Sequence, residues 1–444
     1  MIVRCTLPLI VLILTVSAGH FCKAEDVFEK PVRLKADGKI IDTGDHWGHS
    51  SPCIEDIDGD KLDDLILGDF RGNFQIYKNV GRSDAPLYTS VGKVQADGKD
   101  AAVRIYCCVG GQPRFVDLNG DGIRDFISSS YDPGYCYFFR GLKDHKFATP
   151  EVLKDQSGEP VQSAVKPKQN FQSFGSFYMP VDWDADGDFD LLIGCFDGHL
   201  KLRMNEGTAK EYAFAAENQT VKAGGKPLEV EKHCCPVVAD WDQDGLWDLL
   251  AGSDEGSVTW FKNVGSRSKP EFAAGEILVP KHSGSGTKGY NLVIWNEKEI
   301  TPGIRSQIEV VDYNRDGKLD LLLGDFNTAY DLRKDLTKQE KAEVEKLLSQ
   351  STTIGKAYGD KMEALRADFT KRYPGDLIYS DKATKEWSEA YKKLRESPEA
   401  KELDQYDTEF TSQMRPYLAS TQGKGNRSHD LAKSHGYVWL FLRK

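Results

Sequence analysis

The sequence predicts an all-β fold: a five-bladed β-propeller closed by an N-terminal strand, with an α-helical insertion in the last blade. Three observations predict it. An Asp-rich loop followed by an apolar run recurs five times. Each recurrence brings short strand-like segments, which together make a unit of about four strands, the content of one propeller blade. The incomplete units at the two ends of the chain complement one another.

The repeat reads DIDGDKLDDLILGDFRG from Asp56, DLNGDGIRDFISSSYD from Asp117, DWDADGDFDLLIGCFDG from Asp182, DWDQDGLWDLLAGSDEG from Asp240 and DYNRDGKLDLLLGDFN from Asp312. Successive starts lie about 60 to 70 residues apart. Strand A ends at the Asp loop, and the DLLLG-like run is strand B. A glycine then opens an alternating strand C: GNFQIYKNVG at Gly72, GYCYFFRG at Gly134, GHLKLRMNEG at Gly198 and GSVTWFKNVG at Gly256. Strand D follows and runs into a turn such as QADGK, ending at Lys99, or KAGGK, ending at Lys226.

Val27 to Lys39 reads as a strand D with nothing before it, whereas the last repeat has A and B, a long interruption, and a strand C in HGYVWLFLRK from His435. The orphan strand at the start completes the last blade. Closure of this kind removes the free sheet edges that invite aggregation.

The loops carry the chemistry. Positions 1, 3, 5 and 9 are Asp56, Asp58, Asp60 and Asp64; Asp117, Asn119, Asp121 and Asp125; Asp182, Asp184, Asp186 and Asp190; Asp240, Asp242, Asp244 and Asp248; and Asp312, Asn314, Asp316 and Asp320. Alternate oxygens in a tight loop point at one centre, and a hard cation such as Ca2+ takes six to eight of them. Glycine at position 6 permits the turn. The first loop departs from the pattern, with Lys61 at position 6 and its glycine, Gly59, at position 4, so it is the weakest candidate. Without a cation, carboxylates so close would repel one another.

These loops and strands resemble the FG-GAP and VCBS repeats of integrin α-subunit propellers and of many exported bacterial proteins. The resemblance spans roughly Val27 to Phe326 plus the last ten residues. It implies calcium, up to five ions, in the A–B loops on the lower face. It implies little about chemistry, because such repeats serve adhesion, glycan binding and scaffolding. The position-12 Glu that closes a helix-flanked calcium loop is missing.

The N-terminus reads as an export signal over residues 1–24: Arg4, then an apolar run from Leu7 to Val16, then Ala18 and Ala24. No second apolar run occurs, so no transmembrane segment is expected beyond the signal, and the protein is expected to be secreted, periplasmic or cell-surface. The propeller is assigned to residues 25–327, the insertion to 328–434 and the last strand to 435–444. Formal charge is −11, which argues against a nucleic-acid partner. Bound cations would offset most of it. No CxxC occurs. The pairs Cys107–Cys108 and Cys234–Cys235 could form vicinal disulfides, bond to other cysteines or remain buried thiols.

The insertion reads as helical. Thr337 and Glu340 form a capping box leading a helix through Leu348, and further helices are expected over Asp360–Tyr373, Thr384–Glu396 and Glu399–Met414, punctuated by Pro374 and Pro398. Strand order sends this insertion and the D–A connections to the upper face. Those connections carry the candidate ligand-binding residues Trp47, His49, Tyr106, Tyr178, His233, Trp295 and Arg305, since aromatic and polar groups converging on a funnel suit a sugar or peptide. No GxSxG, HExxH or P-loop occurs, and no catalytic residue is assigned. The leading expectation is an exported calcium-binding module for an extracellular glycan or protein, acting in adhesion. The alternatives are a carbohydrate-active enzyme, a polysaccharide lyase or hydrolase using His49, His233, Tyr178 and Arg305, and a cell-surface scaffold whose insertion docks a partner.

Overall fold

The computed structural model describes residues 27–46, 48–103, 111–131, 133–163, 176–282, 301–373, 380–419 and 431–444. The fold is all-β with a helical insertion, and among the described residues no sheet closes on itself as a barrel. Among the same residues, five antiparallel A–B–C–D sheets follow one another along the chain. Sheet 1 is Ser51–Glu55, Asp64–Gly68, Phe74–Asn79 and Tyr88–Lys93. Sheet 2 is Arg114–Val116, Asp125–Ser129, Cys136–Phe139 and Glu151–Val152. Sheet 3 is Phe177–Val181, Asp190–Gly194, Leu200–Arg203 and Gln219–Thr220, and sheet 4 is Cys235–Ala239, Asp248–Gly252, Val258–Phe261 and Glu276–Val279. Sheet 5 takes Ile304–Val311, Asp320–Tyr330 and Val438–Phe441 from the end of the chain and Val32–Arg33 from its start. Val32 pairs with Leu440 and Arg33 with Trp439. The N-terminal segment therefore completes the last sheet, as its sequence predicts.

Each strand B is buried along the five residues from its aspartate onward. That explains its unbroken apolar text, because successive side chains point to opposite faces and both faces are covered. Leu65 and Leu67 pack with Leu322 and Leu440 of sheet 5, while Ile66 between them packs with Phe126 and Phe139 of sheet 2. The same alternation builds a core between sheets 2 and 3 (Ile127, Phe138, Leu191, Ile193), between 3 and 4 (Leu192, Leu202, Leu249, Ala251), and between 4 and 5 (Leu250, Val258, Leu321, Leu323). The succession of cores returns to its starting sheet. Each fully buried Leu or Ile contributes about 1.5–3 kcal/mol.

The glycine four residues after the position-9 aspartate has a packing role that its sequence conceals. A Cβ on Gly68, Gly194, Gly252 or Gly324 would fall on the carbonyl oxygen of Gly111, Cys234, Ser306 or Ser50 respectively. In each case that carbonyl leads into, or lies at the start of, strand A of the next sheet. Only a residue without a side chain permits the approach.

The insertion leaves sheet 5 on an extended two-stranded ribbon. Strand B runs on to Tyr330 and pairs with a returning strand, Ala432–His435, in the register Asn327 to His435. The expected start at residue 328 thus falls inside a strand. Helix α1 is Lys338–Arg372, α2 is Asp381–Arg395 and α3 is Pro398–Met414. The capping box at Thr337 is present. The two helices expected within Thr337–Tyr373 are one. Gly355 and Gly359 weaken the segment between them by about 1 kcal/mol each but do not break a helix as proline would. Pro398 stands at the first turn of α3, where its missing N–H costs nothing. Tyr330, Val344, Leu347, Phe410 and Met414 give the insertion its own small core. No described helix is long and apolar enough to cross a membrane. Cys53, Cys136, Cys195, Cys234 and Cys235 are buried free thiols, so Cys234 and Cys235 are not joined to each other. Cys107, Cys108 and the signal segment lie outside the described residues.

Candidate functional site

The Asp loops lie at one edge of the sheets and share one conformation. The position-5 carboxylate accepts the N–H of position 7 in all five: Leu62 at 2.9 Å, Ile123 at 2.9 Å, Asp188 at 3.0 Å, Leu246 at 3.0 Å and Lys318 at 2.9 Å. The position-1 carboxylate accepts the N–H of position 6, from Lys61 (3.0 Å), Gly122 (2.8 Å), Gly187 (3.4 Å), Gly245 (3.0 Å) and Gly317 (3.0 Å). Lys61 adopts the left-handed φ of 70° where the other loops have glycine, so the first loop keeps its shape against the preference of its side chain. Position 4 is left-handed too, at Ala185 (62°), Gln243 (59°) and Arg315 (57°), which the residue types do not announce.

The position-9 aspartates are fully buried, and each accepts a backbone N–H from the end of strand C. The donors are Asn79 to Asp64 (2.7 Å), Gly141 to Asp125 (2.6 Å), Asn205 to Asp190 (2.7 Å), Asn263 to Asp248 (2.7 Å) and Arg443 to Asp320 (2.8 Å). Burial pushes Asp64 and Asp125 up to about 6 and Asp190 up to about 7. These residues tie the loop to strand C as well as facing its centre.

Three loops gather carboxylate oxygens within 4.8 Å of one another and could hold a metal ion: Asp56, Asp58 and Asp64; Asp182, Asp184 and Asp186; and Asp240, Asp242 and Asp244. In the other two the third position is an asparagine, whose Oδ1 accepts the N–H of Asp121 or Asp316. Lys78 pairs with Asp58 and Asp60 in the first loop, and Lys262 with Asp242 and Asp244 in the fourth. The third loop has Met204 in place of that lysine and adds Asp188 at position 7, a buried carboxylate absent from the predicted ligand set. Burial, then the charges of Asp186 and Asp184, push Asp188 up to about 6. The residues present thus fit a hard divalent cation, most fully in the third loop.

A second constellation forms at the opposite edge. His49, His233 and Arg305 each precede the residue whose carbonyl meets a strand-B glycine, so they hold equivalent places in sheets 1, 4 and 5. All three are left-handed, with φ of 58°, 46° and 60°, and all three are buried. Arg305 Nη1 donates to His49 Nε2 at 2.7 Å, and Arg305 Nε lies 3.3 Å from Asp254 Oδ1. His233 Nδ1 donates to the same oxygen at 2.7 Å. Burial, then the Arg305 charge, hold His49 well below the usual histidine range, and burial lowers His233. Burial opposes the charge on Asp254, but His233 and Arg305 beside it hold its carboxyl well below the usual range.

Six residues after the position-9 aspartate stand Phe70, Tyr131, Phe196 and Phe326, and in sheet 4 Asp254. His49 stacks on Phe326 with centroids 4.4 Å apart and lies 5.1 Å from Phe70. His233 meets Phe196 edge-on at 4.4 Å, and Arg305 lies over Phe326 at 4.9 Å. The structure brings His49, His233 and Arg305 together and adds Asp254 and the aromatics, which the sequence did not single out. Their common offset from the position-9 aspartate was the available signal. Tyr178 does not join them. Its side chain is buried in the core between sheets 2 and 3, with the hydroxyl 2.6 Å from Gly134 O, because its place in strand A points it between sheets. Trp47, Tyr106 and Trp295 lie outside the described residues.

No family model matches the chain. The chain is similar to integrin alpha-PS2 of Drosophila melanogaster, 25% identical over 272 residues that cover 52% of this chain and 18% of that protein. It thus spans less than a fifth of the curated relative's length. Among solved structures, one described as TcdB2-TccC3-Cdc42 aligns over 72% of this chain and 19% of its own, at 11% identity and a TM-score of 0.23, a similarity too low to bear on the fold.

Proposed function

We propose that this chain is an exported, calcium-binding, five-bladed β-propeller of the FG-GAP/VCBS type that works as a binding or adhesion module, holding an extracellular glycan or protein on the face opposite its calcium loops. One observation carries the reading. The sheets succeed one another cyclically, with every Asp loop on one edge and the His49–Arg305–Asp254–His233 chain of contacts on the other. The loops offer the carboxylate, carboxamide and carbonyl oxygens that Ca2+ takes, for up to five ions. Those ions serve the scaffold. The strained, buried residues opposite serve recognition, since left-handed non-glycine residues persist where surrounding structure holds them for a purpose. The similarity to an integrin α chain supports a binding module.

Screening the mature chain on glycan arrays and in pull-downs from extracellular material tests this. Saturable, calcium-dependent capture that weakens in Arg305→Gln is expected, and no ligand across both panels would contradict it. The hydrogen bond between Asp254 and His233 favours a second reading, because a carboxylate-oriented imidazole is the arrangement of a general base. A carbohydrate-active enzyme of that kind would cleave polysaccharides, and the cleavage would vanish in His233→Ala.

A further inference from the structure

We propose that Lys78 and Lys262 are built-in counter-ions of the first and fourth Asp loops, so that these loops take calcium only in competition with an ammonium group of the chain itself, while the third loop, which has Met204 in the lysine's place and adds Asp188, takes it tightly. This rests on the reading above that the loops hold calcium, and it ranks them.

The two lysines come from one place in the repeat. Each stands at the end of strand C, next to the asparagine whose N–H binds the buried position-9 aspartate: Lys78 before Asn79 and Lys262 before Asn263. That bond pins the strand end to the loop and keeps the lysine beside it. Lys78 Nζ contacts Asp58 and lies 3.0 Å from Asp60 Oδ2. Lys262 Nζ contacts Asp242 and lies 2.8 Å from Asp244 Oδ2. In both loops the ammonium thus joins the carboxylates of positions 3 and 5, two of the side chains that the repeat offers a cation. The acidic cluster already holds a positive charge, and that charge belongs to the chain. An ammonium brings one charge and three donors, whereas Ca2+ brings two charges and takes six to eight oxygens. The two repel each other on shared oxygens, so calcium binding there requires the lysine to leave.

The other loops differ at that place. Met204 precedes Asn205 in the third and Leu442 precedes Arg443 in the fifth, and neither side chain can neutralise a carboxylate. Arg140, before Gly141 in the second, is exposed and makes no ion pair with its loop among the described residues. The third loop gathers oxygens of Asp182, Asp184 and Asp186 within 4.8 Å of one another, with the buried Asp188 beside them. Arg267 comes to 3.5 Å from Asp182 Oδ2 but is mostly exposed, a weaker claim on the loop than a lysine on two carboxylates. A lysine that holds its loop about nine-tenths of the time raises the apparent Kd for calcium about tenfold, because only the open fraction can bind.

The test uses the full mature chain, freed of calcium and titrated with calcium chloride in calorimetry, with bound ions counted by equilibrium dialysis. The unmodified chain is expected to bind calcium in at least two classes. Lys78→Met and Lys262→Met, which copy the residue beside the third loop, are each expected to tighten one weak site about tenfold. Asp188→Asn is expected to weaken a tight one. Amine-directed labelling of the unmodified chain, read by mass spectrometry, is expected to find Lys78 and Lys262 protected in chelator and exposed at the calcium concentration that fills the weak class, which keeps the test valid if a variant misfolds. The ranking is overturned if calcium binds but both lysine variants leave every site unchanged, or if labelling of both lysines is indifferent to calcium. In either case the loops would remain calcium sites without built-in counter-ions. No calcium binding at all would overturn the ranking together with the reading it rests on.

Discussion

Gly324 abuts the carbonyl of Ser50, and the Ser50 N–H donates to the carbonyl of Asp325 at 3.1 Å. Residues far apart in sequence thereby join the last sheet to the first, at the point that Gly68, Gly194 and Gly252 occupy between other neighbours. Gly324→Ala places a methyl group on a backbone oxygen that cannot rotate away. It is expected to lower stability by about 1–3 kcal/mol or more, read by denaturant unfolding. Ser129→Gly is the control, since the equivalent position of sheet 2 already carries a side chain, and its change should stay well below that of Gly324→Ala.

Lys61 holds a φ of 70° at a position where four loops have glycine. Left-handed backbone costs a non-glycine residue about 1–2 kcal/mol. Lys61→Gly is therefore expected to stabilise the protein by about 1 kcal/mol in calcium, measured by chemical denaturation. A destabilised variant would show that the lysine side chain contributes more than its backbone strain removes.

Asp188 adds a buried carboxylate to the third loop, and its Oδ1 has no hydrogen-bond partner among the described residues. In chelator, Asp188→Asn is expected to raise the unfolding free energy by about 1 kcal/mol, by relieving repulsion from Asp186 and Asp184. In calcium the same change is expected to give no gain or a loss. Equal effects in both conditions would separate Asp188 from the cation.

His49 and His233 are buried and held neutral, with affinities for protons below the usual histidine value of 6.5. A histidine with a lowered folded pKa binds fewer protons when folded than when unfolded. Its stabilising share is complete above pH 6.5 and is lost as pH falls below it toward the folded value. The histidines' share of the unfolding free energy is thus expected to fall on acidification from pH 7 to pH 5, while the buried aspartates, with raised folded values, act in the opposite direction over the same window. The His49→Gln, His233→Gln double variant is expected to lose less, or gain more, unfolding free energy than the unmodified chain between pH 7 and pH 5.

Much of the architecture was legible because it repeats. A single Asp loop is ambiguous, but five in register, with a lone strand at one end and a missing strand at the other, specify the pairing of Val32–Arg33 with Val438–Phe441. The capping box at Thr337 was equally direct, since it depends on residues three apart. The constellation was harder to read. His49, His233 and Arg305 resemble one another in nothing but position, and Asp254 joins them from a different segment. Tyr178 misled because an aromatic near a loop and an aromatic in an inter-sheet core look alike until the strand's first residue is placed. The left-handed backbone at Ala185, Gln243 and Arg315 is imposed by the loop's hydrogen bonds and leaves no trace in residue type.

Whether cations hold the loops is tested most directly by thermal unfolding of the mature chain in EDTA and in calcium. Ions that bind only the folded state stabilise it by mass action. The melting temperature is expected to be markedly lower in EDTA and to be restored by added calcium. An identical melt in both conditions would show that cations do not hold the loops.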